Sequence, residues 1–147
     1  VTLELKFPTR DVSFTLGQSH SSALEMLGEF ETATQIDAEI QRSAIQVLHE
    51  GAELLFERDA LIAVFLYLTA GPGNLGVFRG TTDLLGKEII EGQNEEKFIA
   101  SLEAQGFWAP KRSYPFSIDR LNESLRIRWE KRKGQVLVLI DDGARIR

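Results

Sequence analysis

Apolar and polar residues alternate with a period of two over several short runs, and recur at helical spacing in two places. Residues 1–7 alternate, with Leu3, Leu5 and Phe7 against Thr2, Glu4 and Lys6, which predicts a short strand closed by Pro8. Ala23, Leu27 and Phe30, flanked by Leu24, recur at helical spacing after Ser19, a suitable N-cap, with Gly28 near the helix end. The polar stretch 31–42 reads as a loop or frayed turn. Three strand-like runs follow, at 44–49, 51–57 and 61–68. In the second, Leu54 and Phe56 share one face, and Glu53, Leu55 and Glu57 the other. Arg58-Asp59 supplies a tight turn, and the short connections make the meander antiparallel.

The second half repeats this order. Gly92-Gln93-Asn94 opens a helix carrying Phe98, Ile99 and Leu102, with Gly106 just past its end. Strands are expected at 113–118, 124–130 and 135–141, the last two joined by a charged turn at 131–134. Leu125, Ile127 and Trp129 point inward, and Arg126, Arg128 and Glu130 outward. Leu24 and Ile99, like Leu27 and Leu102, lie 75 residues apart, and Phe56 and Trp129 lie 73 apart. The expected fold is α+β: two helix-plus-antiparallel-meander repeats with helices on one face of a sheet. The 147 residues form one domain of two halves, 1–72 and 73–147, joined near residues 71–76.

Composition narrows the function. Hydrophobic content of 43% and charged content of 27% fit a globular chain, and without cysteine there is no disulfide, thiolate metal site or thiol nucleophile. The uncharged apolar run 61–70 is too short to cross a bilayer, so no membrane insertion is expected. The expected compartment is the cytoplasm, or the periplasm if a signal peptide has been removed. Net charge is −5, unevenly divided. Residues 1–72 carry four basic against eleven acidic side chains, net −7, and residues 73–147 thirteen against eleven, net +2. The acidic half argues against nucleic acid and suits a basic partner.

Catalytic patterns are sparse. Residues 71–76, Gly-Pro-Gly-Asn-Leu-Gly, match G-x-G-x-x-G, but Val77-Phe78-Arg79-Gly80 reads as extended and then broken, where a dinucleotide fingerprint needs a helix. The stretch reads instead as a joint between halves. His20 and His49 lack metal-ligand spacing, and Asp141-Asp142-Gly143 reads as a turn after a strand. No enzyme, metal or cofactor is expected.

Binding is better supported. The runs 61–68 and 135–141 are apolar on both faces, so the sheet's second face keeps Leu55, Phe65, Tyr67, Leu137 and Leu139. Either the chain covers them or they meet a partner, with Glu53, Glu57, Arg126 and Arg128 as a polar rim. Trp108 and Tyr114, near Lys111 and Arg112, are loop aromatics that serve as interface anchors or as plugs of a core edge.

The hairpin pattern of residues 51–68, the chain end 125–142, and Phe78-Arg79-Gly80 followed by Gly92-Gln93 and a helix together resemble small bacterial toxin-immunity proteins. The doubled helix-plus-meander unit also resembles the β-lactamase inhibitor protein fold and related outer-membrane assembly lipoproteins. The helix-ending Leu-Gly-x-Pro of that group is here Leu27-Gly28-Glu29-Phe30 and Leu102-Glu103-Ala104-Gln105, without proline, and no lipobox cysteine is present. The resemblance implies a non-catalytic immunity or inhibitor protein that binds and occludes a cognate toxin or effector enzyme, such as one delivered by type VI or contact-dependent secretion. It transfers no catalytic residues. The rival readings are a small-molecule module with an apolar pocket, an enzyme using His20 or His49, and a homo-oligomer burying the same face.

Overall fold

The computed structural model describes residues 2–84, 87–90, 94–107, 116–120, 123–132 and 134–142. The fold is α+β with two helices and antiparallel sheets. Chain order is β1 (Thr2–Lys6), β2 (Asp11–Thr15), α1 (His20–Leu27), β3 (Thr32–Asp37), β4 (Arg42–Val47), β5 (Ala52–Glu57) and β6 (Ala60–Tyr67). It continues with β7 (Thr81–Leu84), β8 (Lys87–Ile90), α2 (Glu95–Ala104), β9 (Phe116–Arg120), β10 (Glu123–Arg132) and β11 (Gln135–Asp142). Two strands, a helix and a run of strands thus occur twice in succession.

The helices start where the caps predict. The Ser19 hydroxyl accepts the Ser22 N–H at 3.1 Å, and Asn94 Oδ1 accepts the Lys97 N–H at 3.0 Å. Gly28, at φ +55°, ends α1, and Arg10 donates from Nη2 to the carbonyls of Met26 and Leu27 at 2.6 and 2.7 Å. A cation thereby sits at the negative end of the helix.

The strands form two sheets, a point the sequence leaves open. A four-stranded sheet runs β2-β1-β7-β8 and a seven-stranded sheet runs β3-β4-β5-β6-β11-β10-β9. Four strands escape the sequence reading: β2, β7 and β8, and β3 within the supposed loop at 31–42. The two halves meet in both sheets. Leu3 pairs with Leu84 and Lys6 with Thr81 across β1–β7, while Tyr67 pairs with Leu137 and Ala63 with Asp141 across β6–β11.

One core lies between these elements. Leu3, Leu5, Phe14 and Leu84 come from the four-stranded sheet, and Ala23, Leu27, Phe98 and Leu102 from the helices. The seven-stranded sheet contributes Ile45, Leu54, Phe56, Leu66, Ile127 and Val138 from its inner face. His20 lies against Phe56 and Phe98 against Trp129, each with ring centroids 5.1 Å apart.

A β-bulge changes the faces of β6. Phe56 pairs with Leu61 but Leu55 with Ala63, so Ile62 is an extra residue. Strict alternation places Ile62 beside Val64 and Leu66. Instead Leu61 enters the main core, and Ile62 joins Ala63 and Tyr67 in a second cluster on the other face.

Candidate protein interface

Cross-strand pairing brings seven of the nine residues singled out in the sequence onto the outer face of the seven-stranded sheet. One row runs Gln46, Glu53, Phe65, Leu139, Arg128, and the next Ala44, Leu55, Ala63, Asp141, Arg126. Tyr67 stands opposite Leu137, and Glu57 opposite Arg42. Trp108 and Tyr114 lie outside the described residues.

This face is substantially covered. Ile62, Ala63, Tyr67, Leu75, Leu137 and Leu139 form a buried cluster, and only Leu55 and Phe65 around it stay partly exposed. Leu75 arrives from the joint between the halves. His49 N–H donates to the Asn74 carbonyl at 2.9 Å, Gly51 N–H to Leu75 O at 2.8 Å, and Phe78 N–H to Tyr67 O at 2.7 Å. Gly71 N–H donates to Gly76 O at 2.9 Å, closing the loop on itself. No helix follows at residues 77–80. The G-x-G-x-x-G stretch therefore straps the β4–β5 turn and seats an apolar plug, and it lacks the helix N-terminus that holds a pyrophosphate.

The arginines expected as a rim are engaged within the sheet. Asp141, fully buried, accepts Arg126 Nε on Oδ1 at 2.9 Å, and on Oδ2 accepts Arg126 Nη2 at 3.4 Å and Arg128 Nη2 at 3.2 Å. Arg128 Nη1 also lies 3.3 Å from Glu130 Oε1. Asp141 belongs to β11 itself and is no turn residue. The readable signal is its parity: it shares a face with Leu137 and Leu139, opposite Arg126.

Among the described residues, the most exposed large apolar side chains lie elsewhere, at the end of the sheet formed by the β3–β4 and β5–β6 turns, ahead of Leu24 and Met26 on α1. Ile36 is 75% and Ile40 56% exposed. A shallow groove of about 510 Å³ beside them is lined by His20, Ile36, Asp37, Arg42, Arg58 and Asp59, among others. Arg42 Nη2 lies 3.4 Å from Glu57 Oε2, and Arg58 Nε donates to Gln41 Oε1 at 3.2 Å. Arg58 and Asp59 both have positive φ, +49° and +61°, the geometry of a tight hairpin turn. Sequence reasoning passed over Ile36 and Ile40 because they interrupt a polar stretch without periodicity.

The histidines do not share a site. His20 lines the groove at the sheet end, its main-chain N–H donating to Asp59 Oδ1 at 3.0 Å. His49 lines a different groove with Glu29, Glu31 and Glu50, its Nε2 3.5 Å from Glu31 Oε2. Among the described residues, no group of three or more His, Asp or Glu side chains is placed to hold a metal ion, and no helix is long and apolar enough to cross a membrane.

The chain matches no protein-family model, no curated protein and no solved structure.

Proposed function

We propose that this chain is a non-catalytic immunity or inhibitor-type protein that occludes a basic protein partner with the acidic, isoleucine-bearing end of its seven-stranded sheet. The observation that carries this reading is the exposure of Ile36 and Ile40 beside Asp37, Glu39 and Asp59. Large exposed aliphatics within a charged margin are the composition of an interface core and its rim. At this end Asp37, Glu39, Glu57 and Asp59 outnumber Arg42 and Arg58, so its net charge is negative and favours a cationic partner over phosphates.

We also infer that the halves are copies of one unit. The caps Ser19 and Asn94 are 75 residues apart, as are Leu27 and Leu102, which are both fully buried. Each helix sets a ring against the penultimate strand of its half, His20 on Phe56 and Phe98 on Trp129, from positions about one turn apart in the two helices. Only the first half carries the acidic end, which makes the reading a one-sided interface.

The test uses proteins retained by the immobilised chain from its native source, including the product of any adjacent gene, each purified and assayed with increasing chain. The expected result is a basic protein whose activity falls to zero at equimolar chain, and escapes when Ile36→Asp and Ile40→Asp are combined. Retention without loss of activity overturns the occlusion reading. So does a thermal shift with small apolar ligands but with no retained protein.

A further inference from the structure

Edge strand β3 leaves a row of main-chain groups without a partner in its sheet. β3 is the last strand of its sheet and, among the described residues, pairs only with β4. The register is regular from Thr32–Val47 to Asp37–Arg42, and Leu48 N–H donates to Glu31 O at 2.9 Å. That bond sets the phase of the ladder: Glu31, Ala33, Gln35 and Asp37 turn their main-chain groups to β4. Thr32, Thr34 and Ile36 turn theirs outward.

Sheet edges are ordinarily blunted by a proline, charged side chains, a bulge, extreme shortness or a covering segment. β3 has no proline, lysine or bulge and is six residues long; its one charge, Asp37, stands at its end, and the side chains of residues 34–37 are exposed. Its backbone is therefore a template for one more strand.

Charge decides what fits. Residues 29–41 carry Glu29, Glu31, Asp37 and Glu39 and no basic residue. The flanking bases are engaged, Arg10 on the α1 carbonyls, Arg42 on Glu57 and Arg58 on the Gln41 amide oxygen. A second copy is a poor occupant. Antiparallel self-pairing through the outward groups, centred on Thr34, sets Glu31 opposite Asp37 of the other copy twice over, and like charges directly opposed destabilise a pair.

We propose that the outer edge of β3 takes an extended segment of a partner protein as an added strand, one with two basic side chains six residues apart that meet Glu31 and Asp37. Apolar side chains on the segment's other face meet Ile36. This rests on the occlusion reading and specifies how the partner is held. Main-chain bonds hold the segment, and the acids at both ends of β3 select its sequence.

The probe is a labelled heptapeptide, acetyl-Lys-Val-Thr-Val-Thr-Val-Lys-amide, titrated with the full chain and followed by fluorescence anisotropy. Its counterparts carry glutamate in place of lysine, or proline in place of the central valine. The lysine peptide is expected to bind, and each counterpart to bind at least about tenfold more weakly, the loss that one or two hydrogen bonds carry. In the chain, Thr34→Pro removes an outward N–H that β4 does not use, and is expected to weaken the lysine peptide by a similar factor without changing the circular dichroism. Where Thr34→Pro disturbs folding, Glu31→Lys with Asp37→Lys serves instead, and is expected to reverse the preference toward the glutamate peptide.

Absence of lysine-peptide binding, or equal binding by folded wild type and Thr34→Pro, overturns the inference. A dimer in light scattering that Thr34→Pro dissolves overturns the choice of occupant. A purified partner inhibited equally by wild type and Thr34→Pro sinks the added strand while leaving occlusion intact. A chain that binds the lysine peptide at this edge but inhibits no protein does the reverse.

Discussion

Replacing Gly51 by alanine should be among the most damaging small changes in this protein. Gly51 has φ +69°, and a Cβ there would stand 2.1 Å from the Phe78 nitrogen and 2.3 Å from the Val77 carbonyl carbon. Neither neighbour is a side-chain tip that can rotate away. The left-handed backbone alone costs an alanine about 1 kcal/mol. Driving the strap outward adds about 1–3 kcal/mol of overpacking. It also stretches the bond from Gly51 N–H to Leu75 O and the bond from Phe78 N–H to Tyr67 O, 2.8 and 2.7 Å long. Each such bond is worth about 1 kcal/mol. The expected total is about 3–5 kcal/mol, a large share of the roughly 5–15 kcal/mol that holds a domain folded. Gly73→Ala is the matched control, since Gly73 has φ +59° but nothing within 4 Å of its Cβ position. It should lose only the backbone part, about 1 kcal/mol. Urea unfolding followed by circular dichroism, with slopes compared, measures both. Equal losses for the two variants would refute the close packing of the strap on the β4–β5 turn.

Three further outcomes follow from the ion pairs and the cap. Asp141→Asn leaves Arg126 and Arg128 facing a neutral amide and should cost about 3 kcal/mol in chemical unfolding, near the low end for a broken buried pair because both arginines reach solvent. Arg10→Met strips the cap from the α1 carbonyls and should cost about 1–2 kcal/mol, with a matching loss of amide-exchange protection at the helix end. Lys6 lies 3.0 Å from Asp83 across the β1–β7 seam, and its hydrogen bond to that carboxylate holds its pKa above the ordinary 10.5. A raised pKa means stabilisation present in full below the ordinary value and lost as pH rises through the folded one. The Tm difference between wild type and Lys6→Met should therefore be constant near neutrality and shrink in strong alkali; a difference that widens there would refute the pairing.

What could be read from the sequence was whatever periodicity and caps announce locally. Ser19 and Asn94 start the helices as read, and the β5–β6 and β10–β11 hairpins stand where alternation put them. The misses are elements whose stability is borrowed from neighbours. β2 has only Val12 and Phe14 to announce it, and its burial depends on pairing with β1. β3, Thr-Ala-Thr-Gln-Ile-Asp, has no buried face of its own and exists because β4 supplies a ladder. The bulge at Ile62 is equally silent, since no single residue type marks an extra residue in an apolar run. Among the candidate interface residues, shared parity on one face was legible. That Leu75 would cover part of that face, and Asp141 gather its arginines, depends on contacts made by residues far apart in the chain.

The two seams between the halves have a consequence for the covalent chain itself. Each half supplies one strand to the seam within each sheet, β1 and β6 from the first, β7 and β11 from the second. The peptide link between them is thus less important to cohesion than the ladders are. Pro72 and Gly73 are both exposed, so a protease cut between them should yield two fragments that elute together and part only in denaturant. Fragments made separately should find each other on mixing, recovering the α+β spectrum that neither gives alone. A molecule joined in this way is a natural split reporter, with assembly of its halves as the signal.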